Sequence, residues 1–538
     1  MHEHMHSFGV RNLRSFGEES PAIPIKPINI FVGKNSCGKS TFLRTFPLLR
    51  QSIQVDTKTP ILWFGSLVDF GDFDTALHDA GGKSISFEFN AVLEVVKAED
   101  SWDWEFEVES VKREDRLEDR FFDTKVTISI SRSSPALLKT KLLFEVGSSC
   151  VELTYSGNDI SNAVVYNESC GVVQNFALKI ITTHGSLIPT GMHGLREMKG
   201  KTGSGFVPKR FSLTRPLMTD SNQSLTNFFI KYHHASKSRQ KIREGVEELQ
   251  LASKDTVLEK IRTIFSKDRF FIKNLDLHKD DIKEVAFTFL MAREFTSFLK
   301  SADGLFKSFF SGVRYQAPLR AAGERFYRYQ DLRVDEVDHT GSNLPMVINS
   351  LDNSRQKQLS AWILASFGFE LSLSATGLHY ELRVREEGDK NFHNISDMGF
   401  GYSQILPVIV SIWLEFVANL KRSQFPASRP KGPRVIVLEQ PELHLHPALQ
   451  YKFGLAIAKV ISQAKRLDLY FIIETHSKHL IDAIGESVRH DVIDEEIVNI
   501  AIFEKPESGV TTTTISGFDS EGYLVNWPIG FLSPDYDN

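Results

Sequence analysis

The chain has 538 residues and only three cysteines, Cys37, Cys150 and Cys170. They lie far apart and share no metal-ligand spacing. That excludes a disulfide framework and a cysteine-based zinc site, and it favours a reducing compartment. A basic excess is lacking too, since 63 Lys and Arg face 68 Asp and Glu, a formal balance of −5. Any contact with nucleic acid must then come from a local patch or from a partner. No long apolar segment opens the sequence, so a secretory signal is not expected. The longest apolar run, Ile405 to Leu420, is broken by Pro407 and Glu415 and is too short to span a membrane. The expectation is a cytoplasmic protein. Internal repeats and low-complexity tracts are absent. The length suits roughly two to four domains' worth of core. The opening His2, His4 and His6 read as a frayed or vector-derived terminus rather than a metal site.

What is present is a phosphate-binding loop. Gly33-Lys34-Asn35-Ser36-Cys37-Gly38-Lys39-Ser40 fits G-x-x-x-x-G-K-[ST] at every fixed position. The apolar run Ile28 to Val32 before it reads as a buried strand, and Thr41-Phe42-Leu43-Arg44 after it reads as the start of a helix. Gly33 and Gly38 let backbone amides turn inward around an anion, and Asn35, Ser36 and Thr41 belong to the same cradle. Lys39 supplies a point charge for the outer phosphates, Ser40 a hydroxyl for Mg²⁺, and the helix N-terminus its partial positive charge. The pattern implies binding of a nucleoside triphosphate such as ATP.

Four segments follow from pattern. Residues 1–83 hold the phosphate loop. Residues 84–217 alternate apolar and polar residues in short stretches, as in Ser86 to Phe89, Trp104 to Val108 and Val126 to Ile130, which predicts half-buried antiparallel strands. The charged run Lys112 to Arg120 reads as a solvated turn. Residues 218–312 turn helical: Leu225, Phe228, Phe229 and Tyr232 recur at three- and four-residue spacing, and Val246, Leu249, Val257, Leu258, Ile261 and Ile264 resume it. An inserted helical arm or lobe is predicted there. The basic stretch His233 to Lys241 within it reads as a solvated helix face, with nucleic-acid contact as the alternative. Residues 313–538 form the last segment.

That last segment carries four elements in order. Ser396 to Gln404, with Gly399, Gly401 and Ser403, precedes the apolar helix Ile405 to Leu420 and makes a second anion site at a helix N-terminus. After the loop Pro426 to Pro433, Arg434-Val435-Ile436-Val437-Leu438-Glu439 is a buried strand ending in a carboxylate, the Walker B arrangement, with Glu439 placed for Mg²⁺. Gln440-Pro441-Glu442-Leu443-His444-Leu445-His446-Pro447 follows. His444 and His446 lack an evident third metal ligand and read as a subunit or nucleotide contact. Leu469 to Ser477 is another strand, delivering polar residues to its C-terminal end, where parallel α/β sheets bind ligands. His476 is placed to reach a γ-phosphate.

These residues resemble an ABC-type ATPase head of the SMC-like class. Within that class the chain is similar to the overcoming-lysogenization-defect ATPases and their PtuA-type relatives. The pairing of Glu-Gln-Pro-Glu-Leu-His-Leu-His-Pro with Glu-Thr-His-Ser carries most of the resemblance. Asn12 to Phe16, Val68 to Phe73, Tyr315 to Arg320 and Asn526 to Phe531 also look like the family's marks. The resemblance implies an α/β head with an antiparallel β subdomain and an inserted helical arm or lobe. It also implies dimers or higher oligomers in which ATP lies between the phosphate loop of one subunit and the signature loop of another.

Two departures stand out. Gly399 occupies the usual signature serine position, with Ser396 and Ser403 the nearest serines. Gln440 replaces the usual catalytic glutamate after the Walker B acid, and Gln cannot accept a proton. Either Glu442 or another acid substitutes, or turnover is slow and ATP acts as a clamp. About 60 residues follow His476. That is short for the Toprim nuclease domain carried by the overcoming-lysogenization-defect nucleases, so this chain is not expected to be a nuclease. The PtuA resemblance implies a separate HNH nuclease partner in a Septu or retron antiphage system, with a reverse transcriptase and its RNA–DNA product in the retron case. An ATP-dependent DNA clamp in repair or chromosome maintenance, and a self-contained nuclease, are the alternatives.

Overall fold

The computed structural model describes residues 2–55, 57, 59–79, 82–96, 117–134, 137–156, 159–171, 173–176, 179–181, 185–197, 211–214, 216–328, 334–376, 379–424, 432–464, 468–507 and 509–528. The chain forms two compact units. One comprises Met1–Asn12, Ser52–Leu62 and Asp79–Lys307, the other Leu13–Gln51, Trp63–His78 and Ser308–Asn538.

The first unit contains an antiparallel meander. Its strands are His4–Arg11, Ser84–Glu94, Phe121–Ser134, Leu137–Val146, Ser149–Ser156, Asp159–Asn167 and Val173–Phe176, and they pair in that order. Period-two alternation appears as predicted in Phe121–Ser134, where Phe122, Val126, Ile128 and Ile130 are buried between more exposed neighbours. Phe89, Phe122 and Phe144 on this sheet meet Phe306, Phe298 and Phe295, with ring centroids 4.4, 5.5 and 5.0 Å apart. Ser84–Glu94 departs from simple alternation because both its faces are covered. Its Glu88 is buried and accepts a hydrogen bond from Arg11 Nη2 at 2.5 Å. Trp104 to Val108, and residues 112–116 of the charged run, lie outside the described residues. His4 and His6 are not frayed: both belong to the first strand, where His4 pairs with Val92 and His6 sits in a bulge with its Nε2 3.0 Å from Asp123 Oδ1. Cys150 gathers with Glu145 and Glu168, ligand atoms within 4.8 Å of one another, a grouping that spacing alone does not reveal.

The helical segment of this unit is a lobe with its own core. Helices Pro216–Ile230, Arg239–Glu248, Lys254–Ile264, Arg269–Leu277 and Lys279–Arg293 converge on Phe229, Val246, Val257, Ile261, Phe271 and Ile282. The basic stretch is only partly a solvated face. His233 is buried, its ring stacked on Phe271 at 4.2 Å and its Nδ1 3.0 Å from Asp268 Oδ2. Lys237 Nζ reaches the same carboxylate at 3.2 Å. Asp268 also caps its helix by accepting the Phe271 N–H. Charge here fastens the lobe to itself.

The second unit is built on a seven-stranded sheet. Its order is Val313–Gln316, Arg434–Glu439, Leu469–Glu474, Ile28–Gly33, Val498–Glu504, Thr512–Phe518, Leu524–Val525. The first five strands run parallel and the last two antiparallel. Continuous apolar runs suit strands covered on both faces. A smaller sheet holds Tyr327–Arg328, Phe369–Thr376, His379–Glu386 and His393–Asn394. The helix expected from Ile405 starts earlier and covers Phe400–Gln424. Gly399, at φ +85°, ends the preceding turn and lets the helix begin. Phe400–Val417 is long and apolar enough to cross a membrane, but most of it is buried in the core of this unit. The whole is a mixed α/β fold with antiparallel sheets and a helical lobe, the architecture of an ABC-type ATPase head.

Candidate nucleotide site

Three neighbouring parallel strands, Arg434–Glu439, Leu469–Glu474 and Ile28–Gly33, end at one edge of the sheet. Chain order separates them, but register places Glu439 directly opposite Glu474 and Glu474 opposite Phe31. The phosphate loop leaves the third strand at Gly33. A side chain there would place Cβ 2.3 Å from the Phe503 carbonyl and 2.7 Å from Cys37 Sγ, so only glycine fits. Gly38, at φ +98°, caps helix Lys39–Leu43. Asn35 and Ser36 are exposed at the loop's crest, Ser36 at φ +62°. Lys39 is buried, and its ammonium donates to the carbonyls of Gly33 and Lys34 at 2.9 and 2.8 Å. Thr41 is half-buried on the helix that follows.

The carboxylates are deployed differently from the expectation. Glu439 is clamped by Arg44, whose Nη2 and Nε donate to its two oxygens at 2.7 and 2.9 Å. The Tyr315 hydroxyl adds a third bond at 2.7 Å. Burial opposes the Arg44 charge, but Glu439 outweighs it and raises the guanidinium pKa. Ser40 does not meet Glu439. Its hydroxyl donates to Glu474 Oε1 at 2.8 Å. Burial, and then the neighbouring Glu439, push the Glu474 carboxyl up to about 7.

The loops beyond these strands are tied to one another. Gln440 is left-handed at φ +45° and its N–H donates to the Glu474 carbonyl at 2.9 Å. Glu442 is buried and accepts the His476 N–H at 2.7 Å, and burial raises its pKa. Burial, and then the Lys39 charge, lower the His476 pKa. Its Nε2 is buried with no hydrogen-bond partner among the described residues. His446 caps helix Pro447–Gln463 through Nδ1, and His444, at φ +64°, meets Phe400 edge-on at 4.9 Å. Neither histidine joins a cluster of metal donors among the described residues.

Gly399 stands in open space, while a Cβ on Gly401 would lie 2.9 Å from the His444 carbonyl. Of the two serines near the signature position, Ser403 is buried and returns its hydroxyl to the Phe400 carbonyl at 2.8 Å. Ser396 is the exposed one. Arg320, which spacing did not single out, locks this helix to the Walker B strand. It donates to the carbonyls of Gln404 and Glu439 at 3.2 and 3.3 Å, and burial lowers its pKa to about 10. Gln404 answers through both ends of its amide, to the Arg320 N–H at 3.2 Å and its carbonyl at 3.0 Å. Arg44, Tyr315, Arg320 and Glu474 are the residues that motif reading missed. Tyr315 and Arg320 did sit in one of the family-like stretches, and Glu474 begins Glu-Thr-His-Ser.

With this geometry in place, the family follows. The model of the AAA ATPase domain matches residues 5–481. The chain belongs to that family. As an AAA ATPase it binds and hydrolyses ATP. No curated protein sequence matches the chain. Among solved structures it is similar to an Smc head domain with an extended coiled coil from Pyrococcus furiosus, bound to the C-terminal domain of ScpA. Identity there is 11%, coverage 96% of each chain and TM-score 0.32. It is also similar to an Smc head with a coiled coil and joint from Pyrococcus yayanosii, at 8% identity, 97% and 98% coverage and TM-score 0.33. Membership of the AAA ATPase family rests on the family match.

Proposed function

We propose that this AAA ATPase is a slow, Mg²⁺-dependent nucleotide latch that assembles as a dimer or higher oligomer and controls a separate HNH-type nuclease in antiphage defence. One observation carries the slow-latch reading: the residue after the Walker B acid is Gln440, and the next acid, Glu442, is buried and engaged by the His476 amide. A general base is worth roughly 10²–10⁴ in rate. Without one, phosphoryl transfer to water relies on positioning and charge alone.

In this reading the loop amides around Gly33 to Gly38 and the Lys39 ammonium hold the phosphates. Asn35, Ser36 and Thr41 line the cradle. Ser40 and a sheet-end carboxylate, Glu439 or Glu474, fit a divalent cation, because hydroxyl and carboxylate oxygens at a buried strand end are the donors Mg²⁺ takes. Once bound, the ion offsets phosphate charge. His476, whose Nε2 has no hydrogen-bond partner among the described residues, is the group for the γ-phosphate. Gly399, Gly401 and the exposed Ser396 offer the signature surface to a second subunit. The Septu or retron assignment, and a reverse transcriptase with its RNA–DNA product in the latter, are supported by the sequence resemblance to PtuA-type ATPases. So is a cytoplasmic location, which sparse cysteine also favours.

The test is ATP binding and turnover by the purified chain beside Lys39→Ala, Gln440→Glu and Glu442→Gln, with mass measured in parallel. A latch binds ATP, assembles and barely turns over until Gln440→Glu speeds it by about 10²-fold or more. Fast wild-type turnover that Glu442→Gln abolishes would make Glu442 the working acid and refute the latch. Co-purification with an HNH nuclease from the native operon tests the partner. DNA cleavage by the chain alone would overturn that part.

A further inference from the structure

We infer that Glu474, rather than the Walker B residue Glu439, is the carboxylate that takes the divalent cation together with Ser40. The inference rests on the reading that ATP is held here with Mg²⁺, and it names the ligand within that reading. Glu439 has no free oxygen to offer. Arg44 occupies both of its oxygens at 2.7 and 2.9 Å, and Tyr315 takes one of them again at 2.7 Å. A cation at Glu439 would also meet the Arg44 guanidinium.

Glu474 is the opposite case. It is 1% exposed, and its Oε2 is buried with no hydrogen-bond partner among the described residues. An unpaired carboxylate oxygen in a dry site is costly unless a cation answers it. Its Oε1 is already held 2.8 Å from the Ser40 hydroxyl, the group the phosphate loop provides for Mg²⁺. An octahedral ion with bonds of about 2.05 Å sets adjacent ligand oxygens about 2.9 Å apart, so the pair has the spacing such an ion needs. The strand end is fixed as well, because the Glu474 carbonyl accepts the Gln440 N–H at 2.9 Å. Glu439 instead anchors Arg44 and so holds the helix after the phosphate loop against the sheet.

The experiment uses the full chain, Mn²⁺ as the probe and a non-hydrolysable ATP analogue. Free Mn²⁺ is counted by electron paramagnetic resonance. Glu474→Gln should weaken Mn²⁺ binding by about tenfold or more, while the metal-free variant still folds and melts no lower than the wild-type chain, because an unpaired buried charge is gone. Wild-type Mn²⁺ affinity in Glu474→Gln would overturn the assignment. A second measurement needs no variant: anomalous scattering from crystals of the wild-type chain with Mn²⁺ and the analogue should place the ion on Glu474 and Ser40. A peak bonded to Glu439 alone would overturn it. If the wild-type chain with analogue retains no more Mn²⁺ than the analogue alone, the metal reading beneath the inference falls, which is a distinct result.

Discussion

Replacing Arg320 with Met should cost about 1–3 kcal/mol of stability, the range for leaving a buried hydrogen-bonding group unpaired. Arg320 is 5% exposed, and its two donors serve the carbonyls of Gln404 and Glu439. Each carbonyl left without a donor in a buried setting costs about 1–3 kcal/mol. Met keeps the volume and removes the burial penalty of the guanidinium, which offsets part of this. The main-chain bonds between residue 320 and the Gln404 amide survive, so the change isolates the side chain. Buried Glu442 also loses a neighbouring positive charge that favours its ionised form. Against a typical total of about 5–15 kcal/mol, the loss is large. Urea unfolding with and without ATP is the assay, and Lys at 320 should rescue little because one ammonium cannot reproduce the fork. A loss below about 1 kcal/mol would refute the view that Arg320 joins the signature helix to the Walker B strand.

Two further predictions concern the loop and the lobe. Gly33→Ala should abolish ATP binding, since its Cβ would collide with the Phe503 carbonyl at 2.3 Å; equilibrium binding of a fluorescent ATP analogue checks this, and retained affinity would contradict the geometry. In the lobe, burial pushes the Asp268 carboxyl up, but the Phe271 N–H, His233 and Lys237 overcome it and hold it at about 2, against 3.8 when free. Its folded pKa is depressed, so its stabilisation, on the order of 2 kcal/mol, is present above about pH 4 and lost as pH falls towards 2. Asp268→Asn should therefore be less stable than wild type at pH 5–7 and converge with it near pH 2; a difference in denaturant midpoint that ignores pH would refute this.

The local parts of the site were legible because spacing encodes them. Eight residues define the phosphate loop, and an apolar run followed by an acid defines a strand ending at the sheet edge. Partnership across strands was not legible. Ser40 meets Glu474 instead of Glu439 because sheet order and register decide which strand end faces the loop, and neither is written in local pattern. His233 looked like part of a basic surface because its partner Asp268 stands 35 residues away and only the folded lobe joins them. Ser403 looked available to phosphate, but helical period turns it inward to the Phe400 carbonyl. The helical lobe was legible as periodic helices. That it is a lobe with its own core follows from how their apolar faces converge.

The position of Ile28–Gly33 in its sheet has a consequence for how the protein is made. This apolar strand is synthesised well before both of its neighbours in the sheet, Leu469–Glu474 and Val498–Glu504. At about 5–20 residues per second, roughly half a minute to a minute and a half separates the strand from its second neighbour. During that interval the phosphate loop has no sheet to spring from and the strand's edges stay unpaired. The ATPase sheet thus closes only after Val498–Glu504 has been made. A nascent chain stopped before residue 498 carries the nucleotide motif without the strand that completes its seat.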